Sequence, residues 1–286
     1  MQDLNLDVLI IGRSRPIHLR RLLNSEGLRD NAIIYLFLDG VDVNESDAEE
    51  MSNILETQRI AQEFMEDNPE RLVIWPTKLG CYLGVTTAIN WFFQHVEKGL
   101  ILEDDLMTHP GIIPLAKKAL SSFEHVENIG SINFYRTETN RLGNHFVLSQ
   151  YPNSWGWATW KSRWLLFDHR SPQKIWFQPW KIFRHGGLTG LKRWYHVIGK
   201  IKRKKLDTWA YRWQFMFWLK NLNAITFPFS LIENCGFGES ATHTKKGVSA
   251  KIGTEFDVST LDWAIESLQT DKLYDRIYLQ NVLGVK

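Results

Sequence analysis

Gly99-Leu100-Ile101-Leu102-Glu103-Asp104-Asp105, followed by Leu106-Met107-Thr108-His109-Pro110, decides how this chain is read. A short apolar run bounded by Gly and Pro reads as a buried strand of an α/β sheet. That strand runs out into three consecutive acids. Open α/β sheets bind ligands outside the carboxyl ends of their strands. Adjacent carboxylates repel one another unless a cation or several donors compensate. A hard divalent ion, Mg2+ or Mn2+, shared with a diphosphate is one such compensation. A solvated acidic turn is the plain alternative.

Working outward, Asp7-Val8-Leu9-Ile10-Ile11-Gly12 reads as the first strand and Arg13-Ser14-Arg15-Pro16 as a turn, with Pro16 opening a helix over 16–23. Residues 32–38 form a second apolar strand, closed by Asp39-Gly40. A polar amphipathic helix is expected over 47–68 and a third strand over 71–75. A glycine-bearing loop over 78–84 then precedes a helix over 85–96. Strands alternating with helices at this spacing predict a mostly parallel, three-layer α/β/α sandwich. Further on, the pattern predicts a helix over 110–124, a strand over 129–135 and a Trp-rich helix from Ser154 through Trp164. It also predicts a helix over 206–220, a strand over 224–228, a Gly-rich loop over 234–244 and a helix over 260–269.

With 286 residues the chain suits one large α/β domain or two small ones. The formal net charge of +2 gives no case for a nucleic-acid partner. Two cysteines, Cys81 and Cys235, make no disulfide framework and fit a reducing compartment. The N-terminus shows no apolar leader, and no stretch approaches the roughly 20 apolar residues of a membrane span. The expected location is therefore cytoplasmic, or at the inner face of a membrane. Thirteen Trp stand out, ten of them between Trp155 and Trp218. Trp stacks on flat apolar faces, sugar rings included, and also fills cores.

A strand ending in an acidic cluster, with Arg-Pro after the first strand and Asp-Gly after the second, resembles the GT-A nucleotide-sugar glycosyltransferases. The likeness is nearest to N-acetylglucosaminyltransferase I and to bacterial glycosyltransferases of surface-polysaccharide synthesis. It covers roughly residues 7–244 in motif order and rests on that order, each motif alone being weak. It implies a GT-A (Rossmann-like) domain over 1–244 with a nucleotide-binding half (1–110) and an acceptor-side half (111–244). The latter carries a basic insertion at about 169–206, and a tail follows over 245–286. The implied activity is metal-dependent transfer of a sugar, in the inverting mode, from a nucleoside diphosphate donor, UDP first, to a saccharide or lipid-linked saccharide hydroxyl.

Residue by residue, the resemblance makes Asp105 the metal ligand, Asp104 the ribose contact and Glu103 their companion at the nucleotide. Asp39 matches the acid that holds the base, against a plain turn Asp before Gly40. Arg15 matches a first-loop Arg at the diphosphate, with Arg13 competing for the role, and Gly80 with Lys78 matches a loop near the nucleotide. Asp207, in Asp207-Thr208-Trp209, matches the general base that takes the acceptor proton; a helix-capping Asp is its bland reading. Thr208 stands where the family often has a second acid. His243 matches a second metal ligand, against an ordinary loop His. Trp155, Gly156 and Trp157 match the segment lining the donor–acceptor cleft, with Trp209 also on the substrate.

Residues 169–206 hold eleven Lys and Arg and no acid. The stretch reads either as a solvated loop or, with Trp194, Tyr195, Val197, Ile198 and Ile201 interleaved, as a surface-seeking amphipathic segment that makes peripheral membrane contact through 184–205. Two other functions remain open. A sugar-nucleotide pyrophosphorylase would want a Gly-rich loop after the first strand, and a noncatalytic carbohydrate-binding module would not need the acidic triplet.

Overall fold

Alternation along the first strand sets up two cores. Leu6, Val8 and Ile10 enter one hydrophobic cluster and Leu9 and Ile11 another, because successive strand side chains point to opposite faces. Leu100 and Leu102 against Ile101, and Leu36 and Leu38 against Phe37, divide the same way. Strands buried on both faces read as continuous apolar runs, which is why they stand out in the sequence.

The computed structural model of the chain describes residues 5–29, 31–42, 44, 46–136, 145–236, 261–264 and 268–281. In chain order the elements are β1 (Leu6–Gly12), α1 (Pro16–Leu23), α2 (Glu26–Arg29), β2 (Ala32–Leu38), α3 (Ala48–Phe64), β3 (Leu72–Ile74), α4 (Gly80–His95), β4 (Lys98–Glu103), β5 (Leu106–Thr108) and α5 (Ile112–Phe123). Then come β6 (Ile129–Asn133), β7 (Val147–Ser149), β8 (Trp157–Trp160), α6 (Lys161–Trp164), α7 (Ser171–Trp176), α8 (Pro179–Lys202), α9 (Ala210–Lys220), β9 (Asn223–Thr226), β10 (Ile232–Asn234), β11 (Gln269–Thr270) and α10 (Lys272–Asn281).

Among the described residues, nine strands form one sheet in the order β11-β7-β9-β6-β8-β4-β1-β2-β3. The pairs β1–β2, β1–β4, β2–β3, β6–β9 and β7–β11 are parallel. β8 runs antiparallel to both β4 and β6, and β7 antiparallel to β9. The molecule is thus an α/β protein on a mostly parallel central sheet. Helices α1, α3 and α5 supply the cluster on one face, and α4 with part of α9 the cluster on the other. Beyond that second face, α7, α8 and the outer side of α9 enclose a third core around Trp194, Ile198, Phe215 and Trp218.

Several expectations need correction. The run 154–164 is not one helix: Trp157–Trp160 is the buried strand β8, wedged between β4 and β6, and only Lys161–Trp164 is helical. Part of the glycine-bearing loop is helix, since α4 starts at Gly80. Of the helix expected over 260–269, the described residues Leu261–Ala264 are not helical and Gln269–Thr270 adds an edge strand, while Lys272–Asn281 is helix. The acid-free stretch is no loop: it folds as α7 and α8, the latter broken at Gly187 (φ 60°). Trp194, Val197, Ile198 and Ile201, the residues that suggested a surface-seeking face, are its buried side. Among the described residues, no helix is long and apolar enough to cross a membrane.

α10 docks on the sheet edge through Asp275, which accepts from Ser149 Oγ at 2.6 Å and from the Gln150 N–H at 3.4 Å. Burial pushes its pKa up to about 6, partly offset by those two donors. A carboxyl whose folded pKa lies above its unfolded value of about 3.9 supports folding most at low pH, and that support is lost as pH rises through the folded pKa. Asp275→Asn should therefore flatten the stability profile between about pH 4 and pH 6.5. Thermal melts of the two proteins across that range should converge at the acid end and separate toward neutrality, with the variant the more stable.

Candidate active site at the carboxyl edge of the sheet

The acidic triplet sits where β4 ends, beside the end of β1, with Ile11 paired to Glu103. From the other side β10 clamps it: β10 pairs antiparallel with β5, and the Cys235 N–H donates to the Asp105 carbonyl at 2.9 Å. Asp104 and Asp105 are only 4% and 7% exposed. Carboxylates buried this deeply need donors or a cation. Asp104 Oδ2 accepts from the Arg13 N–H at 3.2 Å, and Arg15 Nη1 bridges Asp104 Oδ1 at 3.1 Å and Asp105 Oδ2 at 2.7 Å. Asp105 Oδ1 is buried and has no hydrogen-bond partner among the described residues.

The charges show in the titration of the cluster. Burial, then the neighbouring Asp105 and Asp104, push Glu103 up to about 8. Burial pushes Asp104 up to about 6, with Arg15 pulling the other way. Burial opposes the charge on Arg15, but Asp104 and Asp105 outweigh it and hold its pKa above the ordinary value. Arg13 does not compete for this role. It donates through Nε to the Gly40 carbonyl at 3.2 Å and pairs with Glu50, tying the end of β1 to the segment after β2.

Asp39 serves the first turn of α4. Its Oδ1 accepts from the Gly40 and Leu79 N–H groups at 2.9 and 2.7 Å, and its Oδ2 from the Gly80 N–H at 3.0 Å. A carboxylate has about four acceptor positions, so one remains for an outside donor. Asp207 reaches the same turn from far along the chain. Both of its oxygens lie 3.3 Å from the Tyr82 N. It stands three residues before α9 and makes no cap for that helix, whose N-cap is Trp209. Its carboxylate is exposed. Gly80 allows the approach: its φ is +82°, and a Cβ there would lie 2.7 Å from Asp207 Oδ2. At Gly236 a Cβ would fall 2.0 Å from Asp105 Oδ2, so close backbone approach is required there too.

Cys81 shows that these groups converge. Burial, followed by the charges of Glu103, Asp207 and Asp39, pushes its thiol up to about 12. Residues from the ends of β2 and β4, the start of α4 and the approach to α9 therefore share one electrostatic neighbourhood.

The aromatic assignments fare differently. Trp157 and Trp209 are buried and stacked on each other, with centroids 5.6 Å apart, so neither has a face free for a sugar. Gly156 (φ +65°) serves packing: a Cβ there would meet Ile232 Cγ1 at 2.5 Å. Trp155 is half-buried, edge-on to Tyr135 at 5.0 Å, and keeps an exposed part. His243 lies outside the described residues. The sequence reading missed Tyr82 and Arg212. Arg212 sits 4.1 Å over the Tyr82 ring and feels the charge of Asp207. No pattern in the chain joins positions 82 and 212, which meet only through folding.

The chain matches no family model and no curated protein.

Two outcomes follow. Arg15→Met leaves Asp104 and Asp105 buried without their cation and should cost about 2 kcal/mol in urea unfolding at pH 8. That is below the 3–5 kcal/mol of a fully buried pair because Arg15 is partly exposed. The loss should shrink at pH 5, where Glu103 and Asp104 take up protons. Gly80→Ala forces an L residue into the left-handed region and displaces Asp207. It should destabilise by about 1–2 kcal/mol on the same assay.

Proposed function

We propose that the chain is a glycosyltransferase of the GT-A class, moving a sugar from a nucleoside diphosphate, UDP first, to a saccharide hydroxyl in surface-polysaccharide synthesis, with inversion. The observation that carries the reading is Asp105, whose buried Oδ1 is unpartnered among the described residues beside a backbone kept open by Gly236. Supporting it, Arg15 lies against the same carboxylate and Asp207 lies over α4 on the same edge. Binding at the carboxyl ends of the strands is the general habit of open α/β sheets.

A divalent cation suits this donor set, which is hard oxygen throughout. Asp105 would hold Mn2+ or Mg2+ through its unpartnered Oδ1. Such an ion would supply Lewis-acid stabilisation of the leaving diphosphate. The chain's own residues have the other roles. Arg15 places positive charge beside the departing phosphates. Asp104, already holding Arg15 and the Arg13 N–H, has acceptor positions left for a ribose hydroxyl. Asp39 has one position left, suited to the N–H of a uracil-like base. Trp155 offers its exposed part to a sugar face. Asp207 takes the proton from the acceptor hydroxyl as that oxygen bonds to the anomeric carbon and the bond from that carbon to the diphosphate oxygen breaks.

Calorimetric titration of UDP and GDP, with and without Mn2+, tests the donor site on the wild type and on Asp105→Asn. One nucleotide should bind with Mn2+ and lose that dependence in the variant. No nucleotide binding under any condition would remove the transferase reading and bring a noncatalytic carbohydrate-binding role forward. Asp207→Asn should still bind the nucleotide while turnover falls about 100- to 10,000-fold; full activity would end its role as base.

A further inference from the structure

We infer that the outer face of α7–α8 is a docking surface for a bilayer rich in anionic headgroups. The inference stands independently of the transferase reading. It starts from a local concentration of exposed apolar side chains. Phe177 is 75% exposed, Trp180 58%, Phe183 50% and Leu188 70%. All four lie within twelve residues of chain, and the first three are among the costliest side chains to leave in water.

The exposure follows from helical geometry. The inner side of the first half of α8 is already used: Ile182 is buried, and Lys181 Nζ donates to the carbonyls of Trp218 and Leu219 at 3.0 and 3.1 Å, closing the end of α9. At about 100° per residue, Trp180, Phe183 and Arg184 share the opposite arc. This half of the helix carries large apolar side chains on its outer face as well as its inner one, unlike an ordinary surface helix. After the break at Gly187, Leu188, Lys192, His196, Lys200 and Arg203 fall on one stripe about 120° wide, facing away from the buried Trp194, Val197, Ile198 and Ile201. All five stripe residues are exposed, and so are Lys204 and Lys205 beyond them.

Charge selects the occupant. The segment 169–206 carries no acid at all. Aromatic residues beside a run of bases make the pattern of an interfacial membrane helix, with aromatics at headgroup depth and bases on the phosphates. A protein partner fits less well, because Lys is depleted at protein interfaces, and four of the bases on or just beyond the stripe are Lys192, Lys200, Lys204 and Lys205. The sequence had pointed to this segment through the wrong residues. The apolar side chains available to a membrane are Phe177, Trp180, Phe183 and Leu188.

The test is co-sedimentation of the full chain with vesicles of phosphatidylcholine alone or mixed with phosphatidylglycerol. The wild type should bind the anionic vesicles at least tenfold more tightly than the neutral ones, and high salt should weaken that binding. The triple variant Phe177→Ser, Trp180→Ser, Phe183→Ser should lose tenfold or more on anionic vesicles. Lys200→Gln, Lys204→Gln and Lys205→Gln together should erase the anionic preference, at about fivefold per base. Near-UV circular dichroism, dominated by the buried Trp, confirms that each variant folds. Brominated lipid should quench the wild type and quench Trp180→Phe less. Absence of binding to anionic vesicles at low salt overturns the proposal, as does wild-type binding by the triple Ser variant. Binding to polyglutamate or an oligonucleotide in preference to vesicles also overturns it, in favour of a soluble anionic partner.

Discussion

Three consecutive carboxylates at the end of a buried strand are the constraint around which this sheet edge is arranged. Two like charges about 4 Å apart near a protein surface repel by about 4 kcal/mol, and burial adds its own cost. Each feature nearby reduces that cost. The Arg13 N–H meets Asp104, and the Arg15 guanidinium spans Asp104 and Asp105. β5 and β10 pair directly beyond the triplet and hold the Asp105 backbone through Cys235. Burial first, then the neighbouring Asp105 and Asp104, still hold the Glu103 carboxyl above the usual range, with Arg15 pulling it down. The cluster keeps one buried carboxylate oxygen, Asp105 Oδ1, without a hydrogen-bond partner among the described residues.

The long parallel strands were legible because burial on both faces writes them as unbroken apolar runs; β2 falls on 32–38 as expected. Most short strands were not. β5, β7, β8, β10 and β11 have two to four residues each, too few for a period to show, although β3 and β9, equally short, fall close to the expected 71–75 and 224–228. Trp157–Trp160 misled because four buried residues beside a helical turn look alike as strand or helix. Asp104, Asp105, Arg15 and Asp39 were legible as candidates because topology alone puts strand ends together. Their partners were not: the donation from Leu79 and Gly80 to Asp39, and from Tyr82 to Asp207, depends on where α4 begins, which Gly80 sets through a positive φ. Trp157 and Trp209 failed as ligand contacts for a related reason, since a Trp that stacks on a sugar and one that stacks on another Trp have the same sequence.

The abundant Trp divides by depth. Trp157, Trp164, Trp209 and Trp213 pack together between the sheet and α9, while Trp194 and Trp218 anchor the third core. That third core explains why an acid-free, lysine-rich segment is helical here. Lys192, Lys200, Lys202, Arg203, Lys204 and Lys205 face solvent, and the segment's inner face is large enough to hold it against α9. Trp180 departs from this division, being exposed on a helix whose inner face is already filled.

The first turn of α4 joins distant parts of the chain. The N–H groups at a helix start have no partner within the helix, and together they favour negative charge. Here they are met by Asp39 from the end of β2 and by Asp207 from the approach to α9. The position of Asp207 is thereby set by a helix more than a hundred residues earlier, in register with β2 and the acidic triplet, rather than by α9 whose start it precedes. An exposed carboxylate held at 3.3 Å by one backbone N–H keeps most of its acceptor capacity. Asp39, saturated at three of its four positions and buried, keeps less. The two aspartates that meet this helical turn are thus physically unlike, one a buried contact with three donors and the other an exposed acceptor held by one.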